Sequence, residues 1–232
     1  MLLVLTACSR GFGEEKRVIP AKDDLICYFA CDEAVNGNAV DAAASGVKAT
    51  HSGGIPSLVD GSVGKVLGCF GQGSQDLFRH GLNLGKSDFT IAFWVNVSGY
   101  IMHGSEDRIA ERGLVVYGYS PKLSVFLNDS GKMTLEMPEA GSASMSAAGV
   151  PPKHKWTHLA FVVDRDSNAG CGIYMNGQKL YMTSVNMAAS ADHDYNMNSG
   201  FMFGRTLVGL LDDLAVYRKA LTRVEVNALS GL

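Results

Sequence analysis

The 232-residue sequence holds only six prolines, no block of like charge, and no apolar run near the length of a membrane span. A transmembrane helix needs about 20 consecutive apolar residues, so a spanning segment is not expected. Without a basic stripe, and with a formal charge of −3, nucleic acid is not an expected partner. No Cys-x-x-Cys occurs and no histidine stands at ligand spacing from a cysteine, which argues against a zinc site. Neither Gly-x-Ser-x-Gly nor His-Glu-x-x-His is present, so those hydrolase and metalloprotease sites are absent. Helical periodicity is almost missing. What is abundant is glycine, at 27 residues, which suits a chain of many turns. The apolar fraction of 47% is ordinary for a globular protein, and a chain this long can bury a core without staples.

The segments that can be read are strands. Leu25–Cys31, Lys65–Gly71 and Asp88–Val97 are apolar or alternating. In the last of these, Phe89, Ile91, Phe93 and Val95 point one way and Thr90, Ala92, Trp94 and Asn96 the other. Lys122–Met137 predicts a hairpin turning at Asn128-Asp129-Ser130-Gly131. Further strands are expected in His158–Asp164, Gly172–Met182, Gly200–Arg205 and Leu210–Arg218. Turn signals recur every 8–15 residues, a spacing that argues for a sandwich or jelly roll. One helix is expected at the end, with Thr222 and Glu225 as a capping box and Gly231 as its stop. The fold class expected is all-β: a two-sheet antiparallel jelly-roll sandwich with one short C-terminal helix.

The polar stretch Asp164–Gly170 has oxygen side chains at alternate positions, like the start of a calcium loop. An EF-hand needs glycine at its sixth position and glutamate at its twelfth, where Ala169 and Met175 stand. The stretch is expected to be a hairpin turn, followed by a tight turn at Asn176-Gly177.

The first residues, ending in Leu5-Thr6-Ala7-Cys8, resemble the lipobox of bacterial lipoproteins, although the apolar run is short and no Lys or Arg precedes it. That resemblance implies an exported, membrane-anchored chain: a signal remnant over 1–8, lipid on Cys8, a tether over 9–22, and one domain over 23–232. Four cysteines remain. Cys27 and Cys31 lie about 13 Å apart if extended, too far to bond each other. Each would need Cys69 or Cys171; buried thiols are the alternative reading.

Trp156-x-His158-Leu-Ala-Phe-Val-Val-Asp164, then Tyr174-Met-Asn176-Gly177, resembles the signature of laminin-G-like, concanavalin A-like lectin/glucanase jelly-roll domains. Leu25–Gly46, Val63–Gly73, Asp88–Asn96 and Phe201–Leu229 resemble the family's other segments, in family order. Trp94 and Trp156 are expected as large core fillers, and the methionines as fillers of gaps between the sheets. The resemblance implies a structural calcium ion held by Asp32, Asp41 and Asp212, since calcium takes six to eight oxygens. Family enzymes use paired carboxylates, but Glu106 and Asp107, followed by Glu111, have the wrong spacing for one strand face. The loop Asp192-His193-Asp194 is read as a polar tip. Sugar recognition stacks aromatic rings on pyranoses beside polar groups. Its candidates are Tyr100 with His103, Tyr117 with Tyr119 on one strand face, and Tyr195 with Asn196. The expected function is non-catalytic glycan recognition, with protein adhesion or an enzyme of unrecognised site as alternatives.

Overall fold

The computed structural model describes residues 19–32, 34–35, 38–39, 43, 50–51, 58–60, 65–70, 77–79, 82–100, 112–119, 122–128, 131–197, 201–204 and 206–231. Its strands, in chain order, are β1 Leu25–Phe29, β2 Ala34–Val35, β3 Asn38–Ala39, β4 Thr50–His51, β5 Leu58–Asp60, β6 Lys65–Phe70 and β7 Leu77–Arg79. Then come β8 Leu82–Gly85, β9 Phe89–Tyr100, β10 Arg112–Tyr119, β11 Lys122–Asn128, β12 Lys132–Met137, β13 Ala143–Ala148 and β14 Trp156–Val163. The last are β15 Gly172–Met175, β16 Gln178–Lys179, β17 Met182–Val185, β18 Tyr195–Met197, β19 Phe201–Phe203 and β20 Leu207–Tyr217, followed by helix α1 Arg223–Ser230.

Two antiparallel sheets form the sandwich. The first runs β16-β15-β14-β9-β20-β6-β5, and β1 also pairs with β20. The second runs β17-β13-β12-β11-β10-β19-β7-β4. Period-two alternation decides which side chains meet between them. Phe89, Ile91, Phe93, Val95 and Val97 of β9 enter the core, as do Leu123, Val125 and Leu127 of β11. Phe93 stacks on Phe161 of β14 with centroids 6.2 Å apart. Met133, Met137, Met145 and Met187 fill the core between them, as expected of unbranched, adaptable side chains. Cys27, Cys31, Cys69 and Cys171 are buried thiols, not disulfides.

β13 was not anticipated. Its Ala-Ser-Met-Ser-Ala-Ala sequence has little β propensity, yet Ala143, Met145 and Ala147 are buried in the core. Tertiary packing decides this strand.

β20 is central. It pairs with β9 along most of its length, while its other edge pairs with β6 at one end and β1 at the other. The register slips between Asp212 and Ala215, where Asp213 adopts φ 50°. Helix α1 covers part of the first sheet's outer face. Val226 and Leu221 pack there on Tyr28, Ala92, Ala160, Val162, Tyr174, Ala215 and Tyr217. The helix starts at the expected capping box: Glu225 N–H donates to Thr222 Oγ1 at 3.3 Å, and Thr222 N–H donates to Glu225 Oε2 at 2.7 Å. Gly231 closes it at φ 67°.

One end of the sandwich is tied by Arg165, 0% exposed. Its guanidinium donates to the carbonyls of Gly85 (2.8 Å), Ser87 (3.5 Å), Ser190 and His193, and to Ser190 Oγ (3.2 Å). The group also lies 5.8 Å over the Tyr195 ring, and the Arg165 N–H donates to Asp88 Oδ1 at 2.8 Å. Burial pulls the arginine pKa down, opposed by Tyr195 and then Asp88. Burial pushes Tyr195 up to about 12. A single planar fork thus satisfies four carbonyls from two loops, geometry that lysine does not offer.

Two outcomes follow. Arg165→Met, which strips donors from buried carbonyls, is expected to cost about 3 kcal/mol or more in urea unfolding, with Arg165→Lys recovering little. A loss under about 0.5 kcal/mol would show that the clamp is not needed. At α1, burial opposes the Glu225 carboxylate, but hydrogen bonds from Lys219 and Thr222 outweigh it and hold its pKa below the ordinary value. Stability from this group is present above the usual glutamate range and is lost as pH falls through the lowered pKa. Glu225→Gln should therefore lower the urea midpoint at neutral pH and leave it unchanged in acid. An equal loss at both pH values would contradict this.

Candidate functional site

The first sheet's outer face has a second half, beyond the α1 contact. Alternation on β9 turns Trp94 and Asn96 outward because Phe93, Val95 and Val97 occupy the core. Register then builds two rows across three strands. In one, His158 of β14 lies opposite Trp94, and Trp94 opposite Asp212 of β20. In the next, Trp156 lies opposite Asn96, and Asn96 opposite Leu210. Trp94 and Trp156 are therefore diagonal neighbours, about 7 Å apart at the backbone. Trp94 and His158 meet edge-on, with centroids 5.5 Å apart and planes at 62°.

Both tryptophans are part-exposed and belong to neither apolar cluster, which corrects their expected role as core fillers. The signal was in the β9 alternation, which grouped Trp94 with Thr90, Ala92 and Asn96. Ring size pointed to the core; the period pointed out of it.

The edge of this face is pinned by the Asn176-Gly177 turn. Both residues have positive φ, 48° and 75°, as a type I′ turn requires. Asn176 Oδ1 accepts the His158 N–H at 2.9 Å, and the Asn176 N–H donates to the His158 carbonyl at 2.9 Å.

Beside Trp94 lies an acidic junction. Asp212, 4% exposed, accepts the Asp213 N–H on Oδ1 at 3.0 Å. Asp213 Oδ1 accepts the Tyr28 hydroxyl at 2.7 Å. Burial first, then Asp212, Cys69 and Asp32, push the Cys31 thiol pKa well up. Asp32 and Asp212, two of the three expected calcium ligands, thus act on one point from opposite ends of the chain. Their carboxylates are hard oxygen donors of the kind calcium takes. Asp41 lies outside the described residues. Among the described residues, no group of three His, Cys, Asp or Glu side chains is placed to hold a metal ion.

The expected sugar-binding tyrosines do not gather here. Tyr100 ends β9 opposite Leu207. Tyr117 and Tyr119 are in the second sheet, opposite Ser124 and Lys122. Tyr195, 1% exposed, is corrected to a core residue: its ring packs under Arg165 and its hydroxyl donates to the Lys122 carbonyl at 3.4 Å. It has no free face for a sugar. Asn196 follows it, half-buried, opposite Asn83. Cys8, His103 and Glu106–Glu111 lie outside the described residues.

The Asp164–Gly170 stretch is a turn, as expected, with Asp164 Oδ1 accepting the N–H groups of Asp166 and Ser167 at 3.0 and 2.8 Å. In the Asp192–Asp194 loop, the His193 carbonyl is a partner of Arg165.

A family model described as the concanavalin A-like lectin/glucanases superfamily matches residues 71–227, and the chain belongs to that family. No curated protein matches the chain in sequence. Solved structures of the same fold include the binding domain of Paraclostridial Mosquitocidal Protein 1, 20% identical over 90% of this chain and 52% of that one, with a TM-score of 0.63. The botulinum neurotoxin serotype D ligand binding domain in complex with N-acetylneuraminic acid is 11% identical over 90% of this chain and 51% of that one, at TM-score 0.68. A botulinum neurotoxin type C structure, described as dependent on two ganglioside molecules for cell entry, is 14% identical over 90% and 51%, at TM-score 0.67. The chain spans about half the length of these solved chains. Among the described residues, no helix is long and apolar enough to cross a membrane.

The chain has two tryptophans, Trp94 and Trp156, so tryptophan emission, excited selectively over the tyrosines, reports on this face. Acrylamide is expected to quench both indoles measurably in the folded protein. Emission as shielded as that of a core indole would contradict their placement on the outer face.

Proposed function

We propose that the chain is a non-catalytic carbohydrate-recognition domain, with the sugar held on the Trp94–Trp156 face. The observation that carries this is the six-residue grid: two part-exposed indoles on the diagonal, with Asn96, His158 and Asp212 between and beside them. Indole faces match the apolar face of a pyranose. The half-buried Asn96 carboxamide matches its hydroxyls as donor and acceptor, while His158 and Asp212, 2% and 4% exposed, lie beneath and support the face. N-acetylneuraminic acid in the serotype D complex and the gangliosides on which type C cell entry depends support a sugar as the ligand class. The same reading places the domain on an exported chain anchored by lipid at Cys8, and a structural calcium ion at the Asp32–Asp212 junction.

The test is affinity measured against a polysaccharide panel. One sugar class should bind saturably, and Trp94→Ala and Trp156→Ala should each weaken it about tenfold while the protein still melts cooperatively. Aromatic contacts of about 0.5–1.5 kcal/mol set that scale. Wild-type affinity in both variants would remove the face from the site, and no binding across the panel by folded protein would remove the sugar.

Calcium has its own readout. Titration into chelator-treated protein should give saturable heat and raise Tm, because the ion binds the folded junction. Absence of both would remove the ion.

A further inference from the structure

We infer that the glycan taken by the Trp94–Trp156 face is acidic, and that Lys153, His154 and Lys155 form the arm that receives its carboxylate or sulfate groups. This rests on the carbohydrate reading of that face and names the class of sugar.

The arm is the stretch of chain that enters β14. Pro151 and Pro152 fix their own φ, and the chain turns over Lys153–Lys155 before Trp156 opens the strand. Within the turn His154 adopts φ 59°, in the left-handed region that histidine visits more readily than most side chains. Its N–H donates to the Val97 carbonyl at 2.7 Å. That bond ties the turn to β9 one residue beyond Asn96, the residue opposite Trp156. Three basic residues are thus held at the Trp156 corner of the grid.

All three are exposed. Among the described residues neither lysine has an ion pair or a side-chain hydrogen bond, in contrast to Lys219, which meets Glu225 at 2.6 Å. The approach is open too. β15 ends at Met175, opposite Leu159, and the turn after it bonds to His158. Among the described residues Trp156 therefore has no strand neighbour on that side. A chain of sugar rings laid across the part-exposed indoles runs off this edge beside the lysines.

The formal charge of the chain is −3, so the protein as a whole does not attract anions. Attraction has to be local. Within the two rows Asp212 is the one acid. It is 4% exposed, accepts the Asp213 N–H, and stands at the corner of the grid diagonal to Trp156. An ammonium is a compact point charge on a flexible stem and takes carboxylate and sulfate alike, where a guanidinium fork would select by shape. Uronic, sialic and sulfated sugars share that chemistry. Exposed charge pairs are individually weak, so the lysines bias the choice of sugar while the indoles hold it.

The experiment is isothermal titration of the full chain with pairs of oligosaccharides that share a backbone and differ in charge. The pairs are oligogalacturonate and its methyl ester, sialyllactose and lactose, and dextran sulfate and dextran oligosaccharides. In at least one pair the acidic member should bind about fivefold tighter or more, and the gap should shrink as salt rises from about 0.05 to 0.5 M. Lys153→Gln/Lys155→Gln should bring the acidic member down to its neutral partner without lowering Tm. A purely structural pair of lysines would not give that combination. Trp94→Ala/Trp156→Ala should weaken the acidic member as well.

Equal affinity within every pair, weakened by the tryptophan variant, overturns the acidic class and leaves the face standing. An acidic preference that the lysine variant does not alter overturns the arm. A preference that survives in the tryptophan variant is adsorption to charge alone, and overturns the inference together with the face it rests on. So does no binding by folded wild type to any of the oligosaccharides.

Discussion

The row of apolar side chains that β9 sends into the core constrains everything built on the first sheet. Phe89, Ile91, Phe93, Val95 and Val97 are all buried against the second sheet. A slip of one residue would turn this whole set out to solvent, so the register is fixed by the hydrophobic effect. With that row inside, Trp94 and Asn96 have only the outer face left. The neighbours β14 and β20 then present His158, Trp156, Leu210 and Asp212 beside them. The candidate site follows from core packing and from register across three strands, not from a loop.

The two outer faces of the sandwich meet different fates. On the first sheet, α1 covers one half through Val226 and Leu221 and leaves the Trp94 half to a different chemistry. On the second sheet, β11 to β13 carry hydroxyls where helix contacts would need apolar groups. The rigid end held by Arg165 joins the Gly85–Asp88 turn to the Ser190–His193 loop. A buried guanidinium with this many carbonyl partners is satisfied by hydrogen bonds rather than by an ion pair. It keeps Tyr195 in the core and away from any ligand.

Much of the fold was legible in the sequence. The hairpin of β11 and β12 showed because β12 alternates Met133, Leu135 and Met137 with polar residues and its turn carries Gly131, which adopts φ 77°. The end of the chain showed because Thr222, Glu225 and Gly231 each do a local job that needs no tertiary knowledge. β13 was hidden because alanine and serine carry no strand signal of their own. Arg165 was hidden because nothing local distinguishes a buried arginine from an exposed one between two aspartates. The expected sugar-binding tyrosines were not brought together, and Tyr195 was drawn into the core by its ring. The tryptophans, assigned to the core by size, were excluded from it by the period of β9.

The most direct measurement of the central claim is a proton–nitrogen NMR titration that follows the indole Nε1 signals. The chain has two tryptophans, so two such signals are expected, and both belong to the proposed face. The account predicts that a binding oligosaccharide shifts both signals along one saturation curve. Saturable binding that moves backbone signals elsewhere and leaves both indoles unchanged would contradict it.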